Sequence, residues 1–319
     1  MAMADDTQKY SVTAGARRKR PAWRRLAARR DAARAAAAIM LAALLAAPCG
    51  AARAGNRDFT MTAARKRVSI GAGMTYDAWT YDGAVPGPVL RVKQDDDVTI
   101  HLENHTSEAH GIEVMAAQIA PKHFSGDSAT TVDYSFKAAV PGVFDYHCSA
   151  IPVLDHVASG MYGMMIVEPA KGWPDGPAQE LTLIQGEFYG KPNNQGLVIA
   201  DHTRMLAAEP DFIVFNGAVS RFGASNPIEI KTGKLARLFF VNAGPNLVST
   251  FHISGVIFST VYQSGNPADA LHNIPSFSVA PGQGAMFEFT VTEPGDYRFA
   301  DAAGAHAYKG ALGVIRASR

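Results

Sequence analysis

The segment HCSAIPVLDHVASGM brings together three side chains that bind soft metals. They are Cys148, His156 and Met161, spaced Cys-x7-His-x4-Met in one short loop between two strand-like runs. A thiolate, an imidazole and a thioether together favour copper. One Cys and two His in a trigonal set, with a long axial Met, is the arrangement of blue electron-transfer sites. That arrangement needs a second imidazole. The best donor is His110 in EAHGIEVM, which follows the strand-like VTIHLEN and would lie beside the ligand loop in a sandwich. One loop giving three ligands and a neighbouring strand giving the fourth makes a rigid site, which suits an ion that changes oxidation state. The bland alternative is an inert buried thiol with Met161 as core filling. Zinc is the nearer rival, but a thioether is a poor zinc ligand.

The elements that must hold these residues are strands. In DDVTIHLEN the apolar Val98, Ile100 and Leu102 alternate with polar residues, the period of a half-buried strand. Comparable runs recur as RKRVSIGAG, MTYDAWTYDG, YSFKAAVPGVFDYHC, MYGMMIVEP, ELTLIQGEFYG, DFIVFNG, ARLFFVNAG, FHISGVIFSTVY, AMFEFTVTEPGDYRFAD and GALGVIRAS, and no long helical run interrupts them. With 47% hydrophobic and 18% charged residues, 29 Gly and 18 Pro, the chain reads as globular and rich in turns, which excludes helical bundles, coiled coils and disordered chains. The Pro- and Gly-rich PAKGWPDGPAQ (169–179) is the expected linker between a first unit, 55–168, and a second, 180–319. The two units share an echo. PGVFDYHC (141–148) resembles PGDYRFAD (294–301), and each is followed by a Gly-rich strand, so a duplicated Greek-key sandwich is the simplest all-β account. In that echo Cys148 aligns with Asp301 and His147 with Ala300, which confines thiol chemistry to the first unit.

Charge divides along the chain. Residues 1–54 carry 11 Lys/Arg against 3 Asp/Glu, leaving 19 basic and 26 acidic residues in the remainder, a net −7. The basic stretch, the apolar AAAAIMLAALLAAP (35–48) and ARAG (52–55) read as a secretion signal cut after Ala54, which places the mature protein in the periplasm. A membrane anchor is the alternative, although the apolar stretch falls short of the ~20 residues a span needs. The pairs Arg17-Arg18 and Arg24-Arg25 leave both Sec and twin-arginine export open. Cys49 is expected to leave with the signal. Cys148 is then the sole cysteine of the mature chain and cannot be half of an internal disulfide. The acidic body does not favour nucleic acid as a partner, and it would suit a basic redox protein.

Residues 60–319 resemble the two-domain copper-containing nitrite reductases. The motifs are VPGPVLRVKQDDDVTIHLEN, HGIEVMAAQ, YHCSAIPVLDHVASGMYGMMIVEP, FHISGVIFSTVY and the terminal KGALG, in that order. The resemblance implies two tandem cupredoxin domains, a homotrimer, and electron entry at a type 1 copper from a small redox protein, either a cupredoxin or a cytochrome c. It also implies reduction of the small anion nitrite to nitric oxide at a type 2 copper between subunits. On the family's pattern the type 1 ligands fall on His110, Cys148, His156 and Met161. Of the three type 2 imidazoles, His147 is matched, while Met115 and Ala302 occupy the other two positions. The proton-donating acid falls on Glu113, the histidine near the substrate falls on His252, and Ser254 replaces a bulky residue close by. Asp301 and His306 are the groups that could stand in for a lost ligand, although an ordinary surface role for His306 is the simpler expectation.

Two readings follow. One is a nitrite-reductase-like oxidoreductase, supported by Glu113 and His252. The other is a type 1 copper carrier whose catalytic site has been lost, supported by Met115 and Ala302. Laccase-like oxygen reduction would need several His-x-His pairs, and the chain has none. His101, His105, His123, His202 and His272 are expected to be surface or hydrogen-bonded residues, Met164 and Met165 core, and Trp173 packing.

Overall fold

The structure is a computed structural model and describes residues 54–119 and 130–319. The expected signal sequence, Cys49 and His123 lie outside the described residues. In chain order the elements of the first sandwich are β1 (Asn56–Gly71), β2 (Met74–Tyr81), β3 (Val89–Lys93), β4 (Asp97–Asn104), β5 (Glu113–Val114), β6 (Thr130–Lys137), β7 (Gly142–His147), α1 (Val153–Ala158) and β8 (Tyr162–Glu168). Then come β9 (Gln179–Phe188), β10 (Leu197–Val198), α2 (His202–Leu206), β11 (Phe212–Phe215), β12 (Ile228–Lys231), β13 (Ala236–Gly244), β14 (Ser249–Ile253) and β15 (Phe258–Gln263). The chain ends with β16 (Ala270–Ile274), β17 (Ser276–Val279), β18 (Gln283–Phe289), β19 (Gly295–Asp301), α3 (Gly304–Tyr308) and β20 (Leu312–Ser318).

Four sheets form two cupredoxin-like Greek-key sandwiches. Their strand orders are β10-β2-β1-β4-β6 and β3-β8-β7-β5 in the first, and β11-β9-β13-β18-β15-β16 and β12-β20-β19-β14-β17 in the second. The alternation read from DDVTIHLEN is realised in β4, where Val98, Ile100 and Leu102 are buried in the first core. Strands β8 and β13 follow a different rule. Every residue of β13, and all of β8 except Glu168, is buried. The reason is that each of these strands has two apolar faces.

Met165 and Val167 of β8 face the core of the first sandwich, while Tyr162, Met164 and Ile166 join Phe239, Val241 and Ala243 of β13 in a separate cluster. Leu238 and Phe240 of β13 turn the other way, into the second core. A sheet covered on both sides needs continuous apolar sequence rather than alternation, and MYGMMIV and ARLFFVNAG supply it. Each large side chain so buried contributes about 1.5–3 kcal/mol, and the two sandwiches are welded along these strands.

The short strands β5, β10, β12, β16 and β17 have no alternation signal long enough to find in sequence. Strand β10 lies beyond the Pro/Gly-rich segment yet pairs in parallel with β2 of the first sandwich. Trp173 in that segment packs on Phe239 and lies against the Arg237 guanidinium, a packing role as expected.

Candidate metal centre

Strand β7 delivers Cys148 at its end, and α1 then carries His156 back toward it. The loop therefore holds a short helix that the sequence reading did not include. The turn closes through Cys148 N–H donating to Met161 O at 3.1 Å and Met161 N–H donating to His156 O at 3.1 Å. Between these, Gly160 adopts φ +115°, a conformation that favours glycine. From the facing side, the segment after β4 brings His110, and Gly111 N–H donates to Cys148 Sγ at 3.4 Å. Tyr81 fixes that segment by donating its hydroxyl to Gly111 O at 2.6 Å.

Three donor atoms converge. His156 Nδ1 lies 3.2 Å from Cys148 Sγ, His110 Nδ1 lies 3.8 Å from the same sulfur, and the two Nδ1 atoms are 3.2 Å apart. Three ligands each about 2 Å from one central ion would be spaced about 3.5 Å from one another. All three residues are buried, and among the described residues this is the one group of three His, Cys, Asp or Glu close enough to share a metal. Met161 is fully buried in the same core cluster as Cys148. Trp79, which sequence reasoning did not single out, packs against both imidazoles, its ring centroid 4.6 Å from that of His156 and 5.5 Å from that of His110. An aromatic three residues before a turn carries no signal of that role.

The electrostatics suit a cation held by neutral donors. Burial lowers the pKa of His110 to about 4, the neighbouring His156 adds to the fall, and Glu108 opposes it only in part. Burial likewise lowers His156 against the pull of Asp155 and Glu108. Both imidazoles are therefore neutral at pH 7, with lone pairs available. Burial raises the Cys148 thiol despite hydrogen bonds from Gly111, Ala150 and Tyr81, so a thiolate there calls for a bound cation. A soft sulfur with two borderline nitrogens fits copper.

The side chain next to Cys148 points elsewhere. His147 Nδ1–H donates to Asp145 Oδ2 at 2.8 Å, and its Nε2 lies 3.7 Å from Glu113 Oε2 across the β5–β7 pair. Burial pulls this imidazole down, but the hydrogen bond and charge of Asp145, with Glu113, outweigh it and raise its pKa. Asp145 was missed in the sequence. The available signal was the two-residue spacing to His147, which puts both on one face of β7. Among the described residues Asp145 Oδ1 has no hydrogen-bond partner, and Asp145 lines a cavity of about 180 Å³ between α1 and the second sandwich.

A second metal at His147 is not matched by its surroundings. Met115 is 48% exposed and offers only a thioether, and Ala302 offers no donor. Neither side chain completes an imidazole set. His252 stands on β14, half-buried, with Nδ1 buried and without a hydrogen-bond partner among the described residues. Among the described residues no hydrogen bond or ion pair links it to Glu113 or His147. His306 is tied to a buried carboxylate, its Nδ1 lying 2.7 Å from Asp301 Oδ2 with the ring 18% exposed. The remaining described histidines are hydrogen-bonded or ion-paired at the surface: His101 to Asp133, His105 to Glu103, His202 to Asp155 and His272 to Thr260. Met164 and Met165 are core.

Comparison with known proteins agrees with the motif reading. The multicopper oxidase family pattern matches residues 62–172. A copper-containing nitrite reductase of Neisseria meningitidis serogroup A is 38% identical over 265 residues, covering 80% of this chain and 68% of that protein. One from Rhizobium sullae is 30% identical, covering 76% of this chain and 70% of the relative. Among solved structures, the copper nitrite reductase of Nitrosomonas europaea superposes with a TM-score of 0.75 at 33% identity, covering 83% of this chain and 94% of that one.

Proposed function

The chain belongs to the family of copper-containing nitrite reductases, and on that footing we propose a copper-dependent oxidoreductase. It accepts electrons at a type 1 copper held by His110, Cys148, His156 and Met161, and reduces nitrite or a similar small anion where two copies of the chain meet. The observation that carries this reading is the buried His110–Cys148–His156 cluster. Copper bound there supplies one-electron redox chemistry.

The chain supplies the rest. Two strands, a closed loop and Trp79 hold the donors in fixed positions, so little rearrangement accompanies a change of charge. His147 is joined to Cys148 by a single peptide unit and is 15% exposed, which gives a short covalent route from the buried sulfur to the surface beside Glu113. Reducing nitrite to nitric oxide takes one electron and two protons and releases water. Glu113, exposed beside His147, and His252 of a neighbouring copy are the groups assigned to proton delivery. An acidic, exported homotrimer served by a small basic cupredoxin or cytochrome c is the setting that goes with this assignment.

The second reading is an electron carrier with type 1 copper as its only metal. Met115 and Ala302 favour it, because they leave His147 as the one imidazole of the family's catalytic three. Copper per chain on reconstituted protein, sorted by electron paramagnetic resonance, separates the two. A second copper signal that changes on adding nitrite supports the enzyme. One copper per chain, with nitrite left unreduced, overturns it in favour of the carrier.

A further inference from the structure

Where the end of β1 and the turn after β2 meet the second sandwich, an open cleft of about 500 Å³ is lined by Lys66, Arg67, Arg221, Thr182, Asn216 and the segment 83–87. Three of its side chains are cationic, and none of the residues lining it is acidic. Neighbouring cations are neutralised. Arg65 pairs with Asp77 at 2.6 Å, and Arg91 pairs with both Glu168 and Glu180 at 2.8 Å. Among the described residues, Lys66, Arg67 and Arg221 form no ion pair, and Arg67 acts on Asp77 only at longer range. Three positive charges held in no ion pair among the described residues, around a concavity on a body whose residues 55–319 are net acidic, concentrate positive potential there. The wall is firm, because Asn216 Oδ1 accepts Ile184 N–H at 2.7 Å and its Nδ2 donates to Thr182 O at 3.1 Å. The volume is that of a small-molecule site and far exceeds a triatomic anion.

The other wall touches the metal loop. Gly87 N–H donates to Tyr162 O at 2.8 Å. Val85 packs so closely on Gly160 that a Cβ at Gly160 would lie 2.6 Å from Val85 Cγ2, and Gly160 directly precedes Met161. On the same side Trp79 N–H donates to Ser159 O at 3.0 Å while its ring packs on His156. Closely packed contacts of this kind transmit displacement rather than absorb it.

We propose that this cleft binds a small, multiply charged oxyanion, a phosphate or a polycarboxylate, and that its occupation is transmitted through Val85 and Gly160 to the loop of Cys148, His156 and Met161. The binding half stands on the cleft alone, and the transmitted half rests on the copper reading above. Calorimetric titration of the mature chain with inorganic pyrophosphate, at ionic strength fixed by sodium chloride, is expected to show saturable binding of one anion per chain. Arg221→Glu should bind at least ~10-fold more weakly. Arg221→Gln, which keeps most of the side-chain volume, should show a smaller loss if charge reversal disturbs folding. Repeating the titration with citrate tells phosphate from carboxylate chemistry.

Heat that never saturates, or unchanged affinity in both variants, overturns the site. Pyrophosphate added to copper-loaded protein should then shift the visible copper–thiolate band in the wild type and not in Arg221→Glu. Binding without any shift overturns the transmission. A copper-loaded protein that is colourless before any addition removes the copper reading, and the transmitted half with it, while the calorimetry still decides the site.

Discussion

The loop from β7 through α1 to β8 and the loop from β19 through α3 to β20 share one backbone plan but hold different things. Cys148 N–H donates to Met161 O at 3.1 Å, and Asp301 N–H donates to Ala311 O at 3.0 Å. Met161 N–H and Ala311 N–H donate to His156 O and His306 O, both at 3.1 Å. Gly160 and Gly310 turn the chain at φ +115° and +118°. His156 and His306 each sit in the last turn of a short helix. In the first loop the imidazole faces a thiol and a second imidazole, three neutral donors that cannot fully satisfy one another. In the second, a carboxylate stands where the thiol was, and it takes the imidazole nitrogen at 2.7 Å. The lesson is that the scaffold fixes where two side chains meet, and their chemistry decides whether they close on each other or leave room for an ion.

The sharpest way to break that comparison is to empty each loop in turn. Cys148→Ala should abolish the intense copper–thiolate absorption and most copper retention, read by visible spectroscopy and metal analysis, whereas Asp301→Ala should leave both unchanged. A blue Cys148→Ala protein would end the assignment. Asp301→Ala should instead cost about 2–4 kcal/mol in urea unfolding. Buried Asp301 accepts from Thr250 N, Ala303 N and Gln185 Nε2 and pairs with His306, and removing it strands those partners. A loss below about 1 kcal/mol would mean that the second loop does not depend on its carboxylate.

The next effect is in pH. His110 titrates at about 4 in the folded chain and His156 also lies below its usual value, so the unfolded chain takes up protons near pH 6.5 that the folded chain does not. Metal-free protein should therefore hold this part of its stability above pH 6.5 and lose on the order of 3 kcal/mol as pH falls toward 4. Stability that stays flat across that window would mean that the imidazoles are hydrated. The smallest effect compares the two glycines. At Gly160 a methyl would meet Val85 Cγ2 at 2.6 Å, whereas at Gly310 the nearest atom, Ile213 O, is 3.0 Å away. Both positions favour glycine, so Gly160→Ala should cost ~2–3 kcal/mol and Gly310→Ala ~1–2. Equal losses would show that backbone strain alone sets the cost.

Much of the site was legible because its donors are close in sequence. The spacing of Cys148, His156 and Met161 is itself a soft-metal ligand pattern, and the echo between residues 141–148 and 294–301 already aligned Cys148 with Asp301. His306 was singled out in the sequence, but not as the counterpart of His156, because the second loop is shorter and only the hydrogen bonds show the equivalence. Trp79 and the cleft cations Lys66 and Arg221 carry no pattern of their own, and Asp145 carries only its two-residue spacing to His147. The first three acquire their roles from partners far along the chain.

The sequence by itself determined that the chain is rich in strands and which of its residues could hold copper. Composition, period-two alternation and ligand spacing are local properties, and local properties survive without a fold. Only the tertiary structure decided that His110 reaches within 3.8 Å of Cys148 and that Asp145 stands behind His147. It also decided that β8 and β13 are apolar on both faces because they weld two sandwiches together. Those facts depend on long-range pairing, and the energy that fixes them is the burial of surfaces that meet only when the chain has closed.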